Sequence, residues 1–207
     1  EVSLILFTAL FGLLTPLTAI MILFINIVTS TLPAMALSIE PTHPKVMNQR
    51  PRNSKEGLLS RYVLLKIFSL IPILFVGTLA LFLWEINIAG MDLNKARTMA
   101  FATIIMFELF HTFNSRSLHS TIFNKTFFNN KYIFVAVGLS VILTLLTIHT
   151  GVGQVLFGTV GLTGFDWIII FAVSSSVVFV AELIKALVNS ELKEQHSLNS
   201  KAQIQTN

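Results

Sequence analysis

Apolar residues along the chain come in long blocks separated by short polar ones. Six blocks stand out, at about 1–13, 19–39, 61–84, 95–115, 131–150 and 165–188. A helix needs about 20 apolar residues to cross a hydrocarbon core of about 30 Å. Five blocks meet that length. The first is too short and reads as the second half of a helix whose first half is missing. With no initiator Met ahead of Glu1, the sequence reads as a piece from inside a longer protein. Leu14-Thr-Pro-Leu-Thr18 is a tight turn, which makes the next span antiparallel to the first. Residues 40–60, with Pro41, Pro44 and Pro51, are expected to form an ordered polar loop. Residues 85–94 are expected to be a short loop, 116–130 a polar loop and 151–164 a glycine-rich connection. The expected fold is all-α, a polytopic transmembrane helix bundle over 1–188. A polar, frayed tail follows over 189–207.

The second block departs from an ordinary lipid-facing span. It carries Asn26, Thr29, Ser30 and Thr31, then Pro33. Asn26, Thr29 and Ser30 share one helical face. Pro33 has no N–H for the carbonyl of Thr29, and its ring pushes that carbonyl aside. A broken helix with a bare carbonyl beside polar side chains is expected between Asn26 and Pro33. Such backbone at membrane depth must be buried in protein or line a cavity. Its oxygens suit a hard cation. The competing reading is a proline kink whose polar groups satisfy a neighbour.

Ionisable residues within a span are costly, at least about 2.5–3.5 kcal/mol at the bilayer centre. Glu108 sits mid-span between Phe107 and Leu109, and Glu1 falls at similar depth. Both are candidate cation ligands. Glu182 and Lys185, spaced i, i+3 near the end of the last block, read as a structural pair. His149 reads as interfacial, and His111 as a packed or hydrogen-bonded histidine. Lys66, one turn into its span, can snorkel.

Composition agrees with the pattern. The hydrophobic fraction is 54%, the charged fraction 12% and the mean hydropathy +0.77, against about 25% charged residues in soluble domains. The chain has no cysteine, so thiolate metal sites and disulfides are excluded. A net charge of +4 would suit nucleic acid, but the basic residues are distributed as membrane topology requires. Of the 14 Lys and Arg, only Lys95 and Arg97 fall on one side of the six blocks. By the positive-inside rule that Lys-poor side is outside and the tail is cytoplasmic. There is no glycine-rich phosphate loop and no nucleophile paired with a base.

Several segments together resemble the C-terminal membrane half of P-type cation-transporting ATPases of the calcium-pump type. These are Glu1-Val-Ser-Leu-Ile-Leu-Phe-Thr-Ala9, Asn26-Ile-Val-Thr29 with Leu32-Pro-Ala34, Ala36-Leu-Ser-Ile-Glu-Pro41 and Met47-Asn-Gln-Arg-Pro-Arg-Asn53. Phe107-Glu-Leu-Phe-His-Thr-Phe-Asn-Ser-Arg116 resembles the eighth-helix signature, and Ala181-Glu-Leu-Ile-Lys185 the end of the tenth helix. The resemblance covers nearly the whole chain, from the second half of the fifth helix through the tenth.

The resemblance implies that Glu1, Asn26, Thr29 and Glu108 are cation ligands. Where the family has an aspartate directly after the threonine, this chain has Ser30. That change removes a charge from a set in which calcium favours several carboxylates, and it suits a monovalent ion, a proton or a weaker calcium site. The transported cation is therefore expected to be calcium, with sodium or protons as the alternative. The resemblance also implies ATP and magnesium in the parent protein. It implies as partners the first membrane helices and the phosphorylation, nucleotide and actuator domains, in a multi-pass protein of the plasma membrane. A passive channel or secondary-transporter subunit, and a membrane scaffold without transport, are readings from other classes.

Overall fold

In a computed structural model, residues 1–39, 61–89, 92–116 and 130–205 are described. The expected loop over 40–60, most of that over 116–130 and the snorkelling of Lys66 lie outside the described residues and side chains.

The elements follow the apolar blocks. The first helix is α1 (Val2–Leu10), and a turn with Gly12 at φ +64 reverses the chain. The second block forms α2 (Ala19–Phe24), a π-helical segment (Ile25–Thr31) and α3 (Leu32–Ser38). Then come α4 (Arg61–Trp84) with a π-helical end (Glu85–Ala89), α5 (Leu93–Ser115) and α6 (Lys131–His149). The short α7 (Gly151–Phe157) and the long α8 (Gly164–Gln205) complete the chain. Among the described residues four helical stretches are long and apolar enough to cross a membrane: Ala19–Ser38, Ile67–Asn87, Lys131–His149 and Gly164–Ala186; the span expected over 95–115 is not among them.

As expected, the second block leaves regular α-helix close to Pro33: over Ile25–Thr31 it takes the wider i→i+5 register, a common form at functional sites. It stays helical, which corrects the expected break. Two further expectations are corrected. Residues 85–89 are not loop: the helix continues because Glu85 is drawn into the protein by Lys95 at 3.3 Å. The tail is not frayed in this conformation. Helix α8 runs on to Gln205 through a stretch that mixes Ser and Asn with Leu, Glu, Lys and Gln and holds neither Pro nor Gly to break it.

Helix α5 is the centre of the bundle, lying between α4 and α8. From Thr98 to Phe107 every residue is buried. Phe101 and Phe107 are fully enclosed, as is Phe82 of α4. Gly77 lets α4 come close: a Cβ there would lie 2.9 Å from the Phe107 ring and 3.0 Å from Val173 of α8. The π-helical segment and α3 pack against α6, and α1 against α4, where Phe7 and Phe75 meet edge to face at 5.2 Å. The outward surface is apolar, with Phe68, Val76, Phe179 and Leu183 all exposed. In water such a surface would drive aggregation; against lipid tails it is the expected one.

Candidate cation site

The five candidate residues come from three elements, and the π-helical segment links them. Glu1 precedes the first turn of α1, and Asn26 Nδ2 donates to its Oε2 at 3.4 Å. Thr29 and Ser30 lie in the π-helical segment, Glu108 in the middle of α5. Glu108 Oε2 accepts from Thr29 Oγ1 at 2.6 Å and from Ser30 Oγ at 3.2 Å. The two carboxyls lie against the same segment, Glu1 through Asn26 and Glu108 through Thr29 and Ser30. Two carboxylates gathered on one segment repel, so the arrangement calls for a cation or a proton.

Both hydroxyls, from adjacent residues of the π-helical segment, reach the same carboxylate oxygen. Local bonds hold the segment. Thr31 Oγ1 donates to the Asn26 carbonyl at 3.0 Å, spanning five residues as the i→i+5 register does. Asn26 Nδ2 also donates to the Ile22 carbonyl at 3.0 Å. Thr29 Oγ1 is 2.7 Å from the Ile25 carbonyl as well as 2.6 Å from Glu108. A hydroxyl has one hydrogen. Turned wholly onto Ile25, it would leave the oxygen lone pairs facing the pocket.

Thr29 is 1% exposed, whereas Asn26 and Ser30 are open. They share that open face with Leu23 and Ile27, both more than half exposed. The donors are carboxylate, hydroxyl and amide oxygens, suited to a hard cation rather than a transition metal. Among the described residues no three His, Cys, Asp or Glu side chains cluster as a metal centre.

The other expectations resolve as structural. Lys185 Nζ lies 3.0 Å from Glu182 Oε1. His149 accepts from Trp167 Nε1 at 3.2 Å near the Lys-poor end. His111 Nε2 lies 3.3 Å from Ser115 Oγ.

Sequence reasoning missed two contacts at the Lys-poor end. Lys95 Nζ bridges Glu85 at 3.3 Å and Asp166 at 3.1 Å, joining α4, α5 and α8. Arg97 donates twice to Thr15 in the turn between α1 and α2. The available signal was that these are the two basic residues on that side. Each fastens the helix bearing Glu108 to its neighbours.

Known families can now be set beside this geometry. Residues 14–187 match the family described as cation transporting ATPase, C-terminus. The chain is 35% identical over 180 residues to a calcium-transporting ATPase of Bacillus subtilis, covering 87% of this chain and 20% of that protein. It is 33% identical over 185 residues to the human calcium-transporting ATPase type 2C member 1, covering 89% of this chain and 20% of that protein. The chain thus spans about a fifth of the length of these relatives.

Proposed function

The chain belongs to the family of cation-transporting ATPase C-terminal domains, and from that premise we propose that it supplies part of the intramembrane ion site of an ATP-driven cation pump. The observation that carries the reading is the junction of Thr29, Ser30 and Glu108 at mid-span. Chemistry that would be costly in lipid is gathered there with Glu1 and Asn26. The apolar helices make the protein a multi-pass membrane protein.

The membrane domain is taken as 1–188. Missing first helices of the pump would cover the open face around Asn26, Ser30, Leu23 and Ile27 and complete the ligand set. ATP and magnesium would act in the phosphorylation, nucleotide and actuator domains. The positive-inside distribution puts the tail in the cytoplasm, and a plasma-membrane location fits a pump of this kind. Calcium is the favoured ion, because the relatives named above are calcium-transporting. Ser30 favours the second reading, a monovalent cation, because it leaves Glu1 and Glu108 as the two carboxylates of this half.

The test uses the full-length protein in membrane vesicles. ATP hydrolysis should be stimulated by calcium or by a monovalent cation, and Glu108→Gln should abolish that stimulation while the protein still accumulates. Cation flux without ATP would establish the passive channel instead. Stimulation unchanged in Glu108→Gln would remove the site.

A further inference from the structure

Pro33 withholds one N–H from the helix that carries the site. In the i→i+5 register that N–H would serve the carbonyl of Val28; in the i→i+4 register it would serve Thr29. A buried carbonyl without a donor is costly, so the donor to Val28 has to come from another element.

Ser140 of α6 supplies it. Its Oγ donates to the Val28 carbonyl at 2.9 Å and lies 3.0 Å from the Ala136 carbonyl, its own i−4 partner. The residue is fully buried. Ser140 is the single side-chain hydrogen-bond donor between Tyr132 and Thr144 of α6. A serine in a helix usually turns its hydroxyl back onto the i−4 carbonyl. Here the one hydrogen is shared with a carbonyl 112 residues away. At the N-cap of α6, ten residues before Ser140, Asn130 Nδ2 donates at 2.9 Å to the carbonyl of Ala36, eight residues beyond Val28. Helix α6 therefore holds the site-bearing helix by its backbone on both sides of Pro33.

We propose that Ser140 is a positioning residue of the cation site: it replaces the N–H that Pro33 lacks, and so holds Val28 in the wide register from which Thr29 and Ser30 both donate to Glu108. This rests on the cation-site reading above. Ser140 itself touches none of the five candidate ligands through the contacts described here; it acts through the Val28 carbonyl. Without that donor, the chain regains a donor for Val28 most easily by shifting toward α geometry. Such a shift would rotate Thr29 and Ser30 relative to Glu108, which accepts from them at 2.6 and 3.2 Å.

The test is cation-stimulated ATP hydrolysis by the full-length protein, read as the half-maximal cation concentration and the maximal rate, in a four-way cycle. Ser140→Ala should raise the half-maximal concentration by about tenfold, the scale of one lost hydrogen bond, with the maximal rate changed much less. In a Pro33→Ala background residue 33 has its own N–H, and Ser140→Ala should then cost little further. An equal shift in both backgrounds, or no shift in either, overturns the proposal. If Ser140→Ala alone does not accumulate, accumulation becomes the readout: recovery on adding Pro33→Ala supports the proposal, and failure of both overturns it. Glu108→Gln is run beside the cycle. If it leaves stimulation intact, the cation-site reading fails. If it abolishes stimulation while the Ser140 cycle is flat, the positioning role alone fails.

Discussion

Arg97 reaches across to Thr15, 82 residues away, and grips it with two donors: Nε to the carbonyl at 2.9 Å and Nη2 to Oγ1 at 3.0 Å. Thr15 lies in the turn that joins α1 to α2. Arg97 opens the helix that carries Glu108 11 residues later, about 16 Å away at 1.5 Å per residue. One guanidinium thus ties together the outer ends of the elements that supply Glu1, Asn26, Thr29 and Glu108. A slip of one residue between them would move the ligands by about 1.5 Å, enough to open the 2.6 Å contact between Thr29 and Glu108.

Arg97→Lys keeps the charge and loses the fork. We predict a loss of about 1 kcal/mol of stability, since the contact is exposed to solvent. Thr15→Val removes one acceptor and should cost less. The two losses should be non-additive, because they delete the same contact. Thermal unfolding in detergent of wild type, both single variants and the double variant checks this. Strictly additive shifts would show that the contact carries no energy.

Lys95 is the centre of a second fastening. Its ammonium meets Glu85 and Asp166, whose side chains are 1% and 3% exposed. Asp166 also accepts from the Thr163 backbone N–H and hydroxyl, each at 2.8 Å, whereas Glu85 Oε2 is buried with no hydrogen-bond partner. Lys95→Met should cost on the order of 3 kcal/mol, the scale of leaving buried charge unpaired. Adding Glu85→Gln should return a large part of that. Unfolding followed through Trp84 and Trp167 measures both. A Lys95→Met protein as stable as wild type would show that water, not Lys95, solvates the two carboxylates.

Much of this fold was legible in the sequence, because bilayer thickness sets a length that apolar blocks either meet or miss. The limits of α4, α5 and α6 fall within about two residues of the blocks, the expected uncertainty of helix ends. The candidate ligands were legible for a related reason: Glu108 and Asn26 are expensive in lipid and so conspicuous. The register of the second span was not legible. Pro33 announces a missing N–H, but whether the helix unwinds or widens depends on who supplies the replacement. That donor, Ser140, lies in another helix and looks in the sequence like any small residue in an apolar run. The Lys95 cluster was hidden similarly. Glu85 and Asp166 sit at the ends of different blocks, and only packing brings them together.

Gly77 is the closest point of the α4, α5 and α8 contact. Gly77→Ala adds a methyl group 2.9 Å from the Phe107 ring and 3.0 Å from Val173. Both neighbours are held by the packed interior, so the helices must move apart. The expected cost is about 1–3 kcal/mol, outweighing the gain of up to about 1 kcal/mol in helix propensity. Phe107 is adjacent to Glu108, so cation affinity should fall as well. Pairing the change with Phe107→Leu, which makes room, should recover stability. A Gly77→Ala protein more stable than wild type would mean that the three helices are less tightly packed than their separation here.

In the proposed cation site Ser30 stands where a carboxylate would add charge. Its Oγ lies 3.2 Å from Glu108 Oε2, and the residue is exposed on the open face, so a longer side chain meets no packed wall within this chain. Ser30→Asp would set a third carboxylate beside Glu1 and Glu108. Repulsion among the three rises without a cation, which destabilises the empty site. A divalent ion would relieve it, because ligand charge count is a main control on calcium affinity in oxygen sites. Calcium should therefore bind more tightly, on the order of tenfold for about 1.4 kcal/mol, and the preference should move from sodium toward calcium. The measurement is ATP hydrolysis by the full-length protein across calcium, sodium and manganese, with thermal stability followed with and without calcium. A stabilisation by calcium that grows in Ser30→Asp would place residue 30 on the ion. An unchanged ion dependence in a folded variant would remove Ser30 from the ligand set, and with it the reason to consider a monovalent ion ahead of calcium.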